Sequence, residues 1–140
     1  MNTTDYRIFV EKLPRFRVEA ESLRRELNAN LNLELGEVRL LCVYDLFGFS
    51  GELLEKSRYT VFGEVVTDFV TDTCDLTGRK YIAVEYLPGQ FDQRAASAVD
   101  CVRLIDPEAQ VNIRSSKLLL FDDKVTDAEL EKIRHYYINA

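Results

Sequence analysis

Val10-Glu11-Lys12-Leu13-Pro14 returns in the second half of the chain as Val84-Glu85-Tyr86-Leu87-Pro88. The echo continues in order on both sides. Phe16, Ala20, Leu23 and Leu27 return as Phe91, Ala95, Ala98 and Val102. Leu40-Leu41 ahead of Tyr44-Asp45 returns as Leu118-Leu119 ahead of Phe121-Asp122, and Glu55-Lys56 with Arg58 as Glu131-Lys132 with Arg134. Ordered correspondences at a nearly constant offset predict a duplicated unit of about half the chain. Two units are too few for a solenoid, so the expectation is a closed pair about a pseudo-twofold axis, the covalent counterpart of a symmetric dimer. The repeats cover residues 5–60 and 80–138 approximately, within a single domain spanning 1–140.

Each repeat reads as strand, helix, strand, helix. Tyr6, Ile8 and Val10 alternate with Arg7 and Glu11, the pattern of a strand with one buried face. Pro14 ends it, because proline has no amide hydrogen for a ladder. Phe16, Ala20, Leu23, Leu27 and Leu31 then recur at three- and four-residue steps, an apolar helical stripe. Val38 to Tyr44 predicts a second strand and Glu52 to Arg58 a short helix. The second repeat predicts a strand from Tyr81 to Tyr86, a helix with Phe91, Ala95, Ala98, Val102 and Ile105 inward, and a return strand from Lys117 to Phe121. Thr126 and Glu129 have capping-box spacing and should open a last helix reaching about Tyr137, with Leu130, Ile133 and Tyr137 inward. The linker contributes an extra strand near Thr67 to Thr71. Strands punctuated by Arg7, Glu11, Glu85 and Lys117 do not suit a parallel sheet covered on both faces. The expected class is α+β: ferredoxin-like, pseudo-twofold, with a mostly antiparallel sheet and helices on one face.

The totals narrow function. A net charge of -6 argues against a nucleic-acid partner, since neutralising phosphates takes a basic surface. The longest apolar runs are too short to span a bilayer, and Met1 to Asp5 lacks the basic and apolar regions of a secretory signal. A cytoplasmic location is the expectation. Cys42, Cys74 and Cys101 form no CxxC pair, and Cys42 and Cys101 read as small buried hydrophobes. One histidine, His135, is too few for a histidine metal site, and its place near a helix end suits the exposed carbonyls there. Asp72, Asp75, Asp122 and Asp123 read as turn residues. The six glycines match neither GxGxxG nor Walker A spacing. No catalytic residue, cofactor site or metal site is predicted.

One segment exceeds a bland reading. Leu87-Pro88-Gly89-Gln90-Phe91-Asp92-Gln93-Arg94 packs a turn, two amides, a carboxylate and a guanidinium into a strand-to-helix junction. As plain structure, Asp92 would favour the helix N-terminus and Gln90, Gln93 and Arg94 would be a solvated face. The first repeat keeps the leucine, proline and phenylalanine but lacks Gly89, Gln90, Asp92 and Gln93. That asymmetry makes Pro88, Gly89, Gln90, Asp92, Gln93 and Arg94 the candidate interface loop.

Tyr6 to Lys12, Leu40-Leu41 with Tyr44-Asp45, Thr60-Val61-Phe62, and above all Val84 to Ala95 with Ser97 resemble the N-terminal domain of the large single-chain phosphoribosylformylglycinamidine synthase. The likeness runs over essentially all 140 residues and is weaker from Gly63 to Asp75. The resemblance implies a domain like two fused copies of the small subunit of the multi-subunit enzyme. It implies membership of a glutamine-dependent carbon-nitrogen ligase of purine biosynthesis, with ATP and magnesium bound in other domains. This chain alone is then expected to be inactive, a structural module docked on the synthetase and glutaminase domains, and a fragment of a longer product. The alternative is a free-standing, homo-oligomeric small-molecule-binding or regulatory module, which rests on fold analogy.

Overall fold

The computed structural model describes residues 4–139, so Met1 to Thr3, read above for a signal, lie outside it. The described residues form an α+β fold with one five-stranded sheet and four α-helices. Strand β1 (Thr4–Lys12) leads through a short 3-10 turn to helix α1 (Val18–Leu31), then β2 (Arg39–Phe49) and α2 (Gly51–Ser57). A wide helical turn at Arg58–Phe62 precedes β3 (Asp68–Thr71) and β4 (Arg79–Glu85). Helix α3 (Gln93–Ile105), β5 (Asn112–Asp122) and α4 (Asp127–Asn139) complete the order. The strand order is β3-β1-β2-β5-β4, and every neighbouring pair is antiparallel.

Local chemistry sets the element ends. Asn32 closes α1 in the left-handed conformation at φ 54°, where asparagine is among the few tolerated residues. The Asn28 side chain then clamps the reversal into β2, accepting from the Leu35 amide at 2.8 Å and donating to its carbonyl at 3.2 Å. Ser50 caps α2 by accepting from the Leu53 amide. The capping box forms as expected: Glu129 Oε1 accepts from the Thr126 amide at 3.0 Å and Thr126 Oγ1 from the Glu129 amide at 3.1 Å. Gly48 has φ +81°, and a Cβ there would come within 2.7 Å of the Gln110 carbonyl oxygen. Glycine lets β2 end where the connection into β5 crosses it.

Strand alternation sorts side chains onto two faces. Ile8, Val10, Tyr44, Leu46, Ile113, Leu119 and Phe121 face the helices. Leu41, Val43, Leu118 and Leu120 face the other way, packed with Phe9 and with Cys74 and Leu76 of the 72–78 connection. Glu11 is buried on that second face and pairs with Arg39 at 2.7 and 2.9 Å. The helices therefore lie on one face, and a loop patches part of the other.

On the helical face the core is divided. One cluster joins Ile8, Val10, Phe49, Leu53 and Phe62 to Ala95, Ala98, Val102 and Ile113. The other joins Leu27, Leu33, Leu35 and Val38 to Ile82, Leu119, Phe121 and Ile133. Each cluster mixes residues from before and after the 72–78 connection: α3 packs with α2, and α1 with α4. A fully buried leucine such as Leu27 contributes about 1.5–3 kcal/mol by leaving water.

Three expectations need correction. Phe91 is 73% exposed and precedes α3, and Ile105 is exposed too, so the α3 stripe is confined to Ala95, Ala98 and Val102. Cys101 is exposed, because it lies off that stripe, whereas Cys42 is partly buried. Lys117 does not mark the open face: it shares the parity of Leu119 and Phe121 and points toward the helices.

A chain ending at residue 77 should not fold alone, since both helical-face clusters would lose buried members and β2 its β5 partner. Circular dichroism in urea should show no cooperative transition for it. A sigmoidal curve would contradict the shared cores.

Candidate functional site

The β4–α3 junction is built by its own residues. Pro88 and Gly89, the latter at φ +87°, fit the two central positions of a type II turn. The Leu87 carbonyl accepts from the Gln90 amide at 3.0 Å. Gln90 Oε1 returns the favour by accepting from the Leu87 amide at 2.6 Å, which locks the turn. Pro88, Gly89 and Gln90 are exposed on it, and so are the flanking Leu87 and Phe91.

Asp92 turns inward. Its Oδ1 accepts from the Ala95 amide at 3.0 Å, making it the N-cap of α3, and from Ser115 Oγ at 2.7 Å. Its Oδ2 accepts from the Ser115 amide at 2.7 Å. One carboxylate thus pins the helix start to the middle of β5. This agrees with the helix-terminus role read from the sequence and adds Ser115 as its partner.

Gln93 and Arg94 occupy the first turn of α3 and line a cleft between α1 and α3. Its inner part, about 160 Å³, has Cys42 and Tyr44 in its lining with Arg17, Glu19 and Ala20 from the α1 side. Its outer part, about 460 Å³, is lined by Tyr86, Val61, Ser97 and Ala98. Arg94, Lys117 and Tyr44 border both parts. The six loop residues therefore divide: three form the outer turn, one pins the fold, and two face the cleft.

Burial pushes the Tyr44 phenol and the Cys42 thiol up, so both stay protonated at neutral pH. Burial works against the Arg94 cation, but its pKa is raised, with the Tyr44 hydroxyl and the Glu19 carboxylate as the neighbours that favour its charge at neutral pH. Asp68, on the cleft wall, would also be raised by burial alone. The Glu64 amide, Lys12 and Thr67 outweigh that and lower it, so its stabilising effect is present at neutral pH and is lost as pH falls through the acid range.

The arrangement suits holding an anion better than covalent chemistry. A protonated Cys42 is a poor nucleophile. His135 lies elsewhere, beside a shallow depression with Leu31, Lys132 and Tyr136. Among the described residues no group of three or more histidine, cysteine or acidic side chains could hold a metal ion. None of the described helices is long and apolar enough to cross a membrane. Asp75 and Asp122 accept from the amides two residues on, as turn residues do.

Sequence reasoning missed Lys117, Tyr44 and Ser115. The signal was parity: Ser115 and Lys117 alternate in phase with Ile113, Leu119 and Phe121, which places polar groups on an otherwise covered strand face. No family, curated protein or solved structure matches the chain.

Replacing Asp92 by alanine removes a cap and strands the buried Ser115 amide. The expected loss is about 2–4 kcal/mol in urea unfolding. Asp92→Asn, which keeps one acceptor, should fall between. Equal stability of all three proteins would contradict the pinning role.

Proposed function

We propose that the chain is a non-catalytic assembly module, an α+β domain whose two halves are diverged copies about a pseudo-twofold axis. More specifically, we propose that it serves as the N-terminal domain of a phosphoribosylformylglycinamidine synthase, docking on the synthetase domain of a glutamine-dependent carbon-nitrogen ligase of purine biosynthesis. ATP and magnesium would be bound by the other domains of that enzyme.

The observation that carries this reading is the stretch from Val84 to Ser97. It bears the densest family likeness, and it ends a strand in a locked turn that presents Leu87 and Phe91, 68% and 73% exposed, beside exposed polar residues. Exposed apolar side chains rimmed by polar groups are a common form of docking surface. The halves support the duplication reading in a specific way. The helix-linked pairs β1–β2 and β4–β5 are both antiparallel neighbours, and β2 meets β5 at the centre of the sheet.

An antibody raised against this chain should detect, in the source cells, one polypeptide much heavier than 16.2 kDa. In that polypeptide Phe91→Asp should weaken domain docking or glutamine-dependent turnover at least about tenfold, the effect of burying an unpaired charge. A band at 16.2 kDa with no bound synthetase chain would overturn the reading.

A further inference from the structure

The helical face of the sheet carries a cation where the fold would ordinarily place a leucine. Lys117 is central in β5, paired in register with Cys42 on one side and Val84 on the other. Both of those neighbours face the helices and pack partly buried. A lysine in such a row keeps its charge only where water or a partner reaches it, and the Lys117 side chain is 42% exposed. The contact inside the chain is weak, with Lys117 Nζ 4.0 Å from Glu19 Oε1.

The other cations of the cleft are treated differently. Lys12 is held by Asp68 at 3.0 Å, and Arg17 lies 3.6 Å from the buried Glu11. Arg94 makes no ion pair within 4.0 Å among the described residues; Cys42 and Tyr44 border the cleft with it, and the one carboxylate whose charge it feels is Glu19, which also faces Lys117. Two weakly neutralised cations thus stand at the neck between the inner and outer parts of one cleft. The outer part has no acidic side chain in its lining, in a chain whose net charge is -6. Ser97 and Gln93 add neutral hydrogen-bond donors there, while Tyr86, Val61 and Ala98 offer apolar surface.

We propose that this cleft binds a small phosphomonoester, its phosphoryl group held between Arg94 and Lys117 and its organic part lying against Tyr86, Val61 and Ala98. The guanidinium supplies a fork of donors matched to phosphoryl oxygens, and the ammonium supplies a point charge from the sheet. Ser97 and Gln93 complete the donor set. The inference goes beyond the assembly role and does not depend on it.

The test uses the 140-residue chain in nuclear magnetic resonance titrations at constant ionic strength, with inorganic phosphate and then phenyl phosphate as probes. Both should give saturable shifts at the amides of Gln93 to Ser97 and of Cys42 to Tyr44. Phenyl phosphate should bind more tightly, because its ring can lie on the apolar wall. Arg94→Gln and Lys117→Gln should each weaken binding about tenfold or more, the usual effect of losing a charge-assisted hydrogen bond. Arg103→Gln, exposed further along α3, should leave it unchanged. Two variants keep the test decisive if one fails to fold. Non-saturating shifts, or equal binding to both folded cleft variants, would overturn the site. Phosphate binding with no gain for phenyl phosphate would overturn the place assigned to the organic part.

Discussion

The pairing of β2 with β5 is the constraint on which the rest of the structure depends. It runs over nine register pairs, from Arg39 opposite Leu120 to Phe47 opposite Asn112, and it is the seam between the two halves of the chain. These residues are far apart in sequence, so ordering them carries a loop-closure cost that local helix formation does not. What compensates is the burial the pairing makes possible. On the loop-covered face it sets Leu41 and Val43 beside Leu118 and Leu120, a cluster that neither half could build alone. On the helical face it brings α3 over α2 and α1 beside α4. The halves are therefore one cooperative object, whatever their ancestry.

That exchange of helices also explains the cleft. Two apolar clusters form on one sheet face, centred on different helix pairs, and they do not merge across the middle of β2 and β5. The strip between them is where Lys117 lies, with Cys42 and the buried Tyr44 of the first cluster at its edge. A polar residue can occupy a central strand there because water reaches the gap, and Arg94 reaches the same strip from the first turn of α3. The cationic cleft is thus a by-product of helix placement, with Arg94 and Lys117 on its lining.

The order and type of the elements were legible because they follow from local rules. The apolar steps of α1, the proline after β1, the type II turn residues and the capping box act within a few residues of themselves. Strand lengths were less legible. β2 continues past Tyr44 to Phe49, because Asp45 is held by Arg7 at 2.6 Å across the ladder. β5 starts at Asn112, well before Lys117, because Asp92 satisfies Ser115 and Arg114 lies 5.1 Å over the Phe47 ring. In each case a distant partner makes a polar strand residue tolerable, and a distant partner has no local signature. The candidate loop was visible as an oddity of composition. Its division between an outer turn and a cleft wall was not, since that division depends on which way Asp92 and Arg94 point.

Asp92 ties these surfaces together. Its carboxylate fixes the start of α3 to Ser115, and the residues on either side of it have different jobs: Leu87 to Phe91 form the exposed turn, and Gln93 to Ser97 form the cleft wall. The helix start is held from its inner side as well, because Ala95 and Ala98 of α3 are packed into the core. An anion drawing Arg94 toward Lys117 would act on the same short element that carries the turn. Both surfaces thus share one support, which the three hydrogen bonds of a single carboxylate hold to β5 and to its own helix.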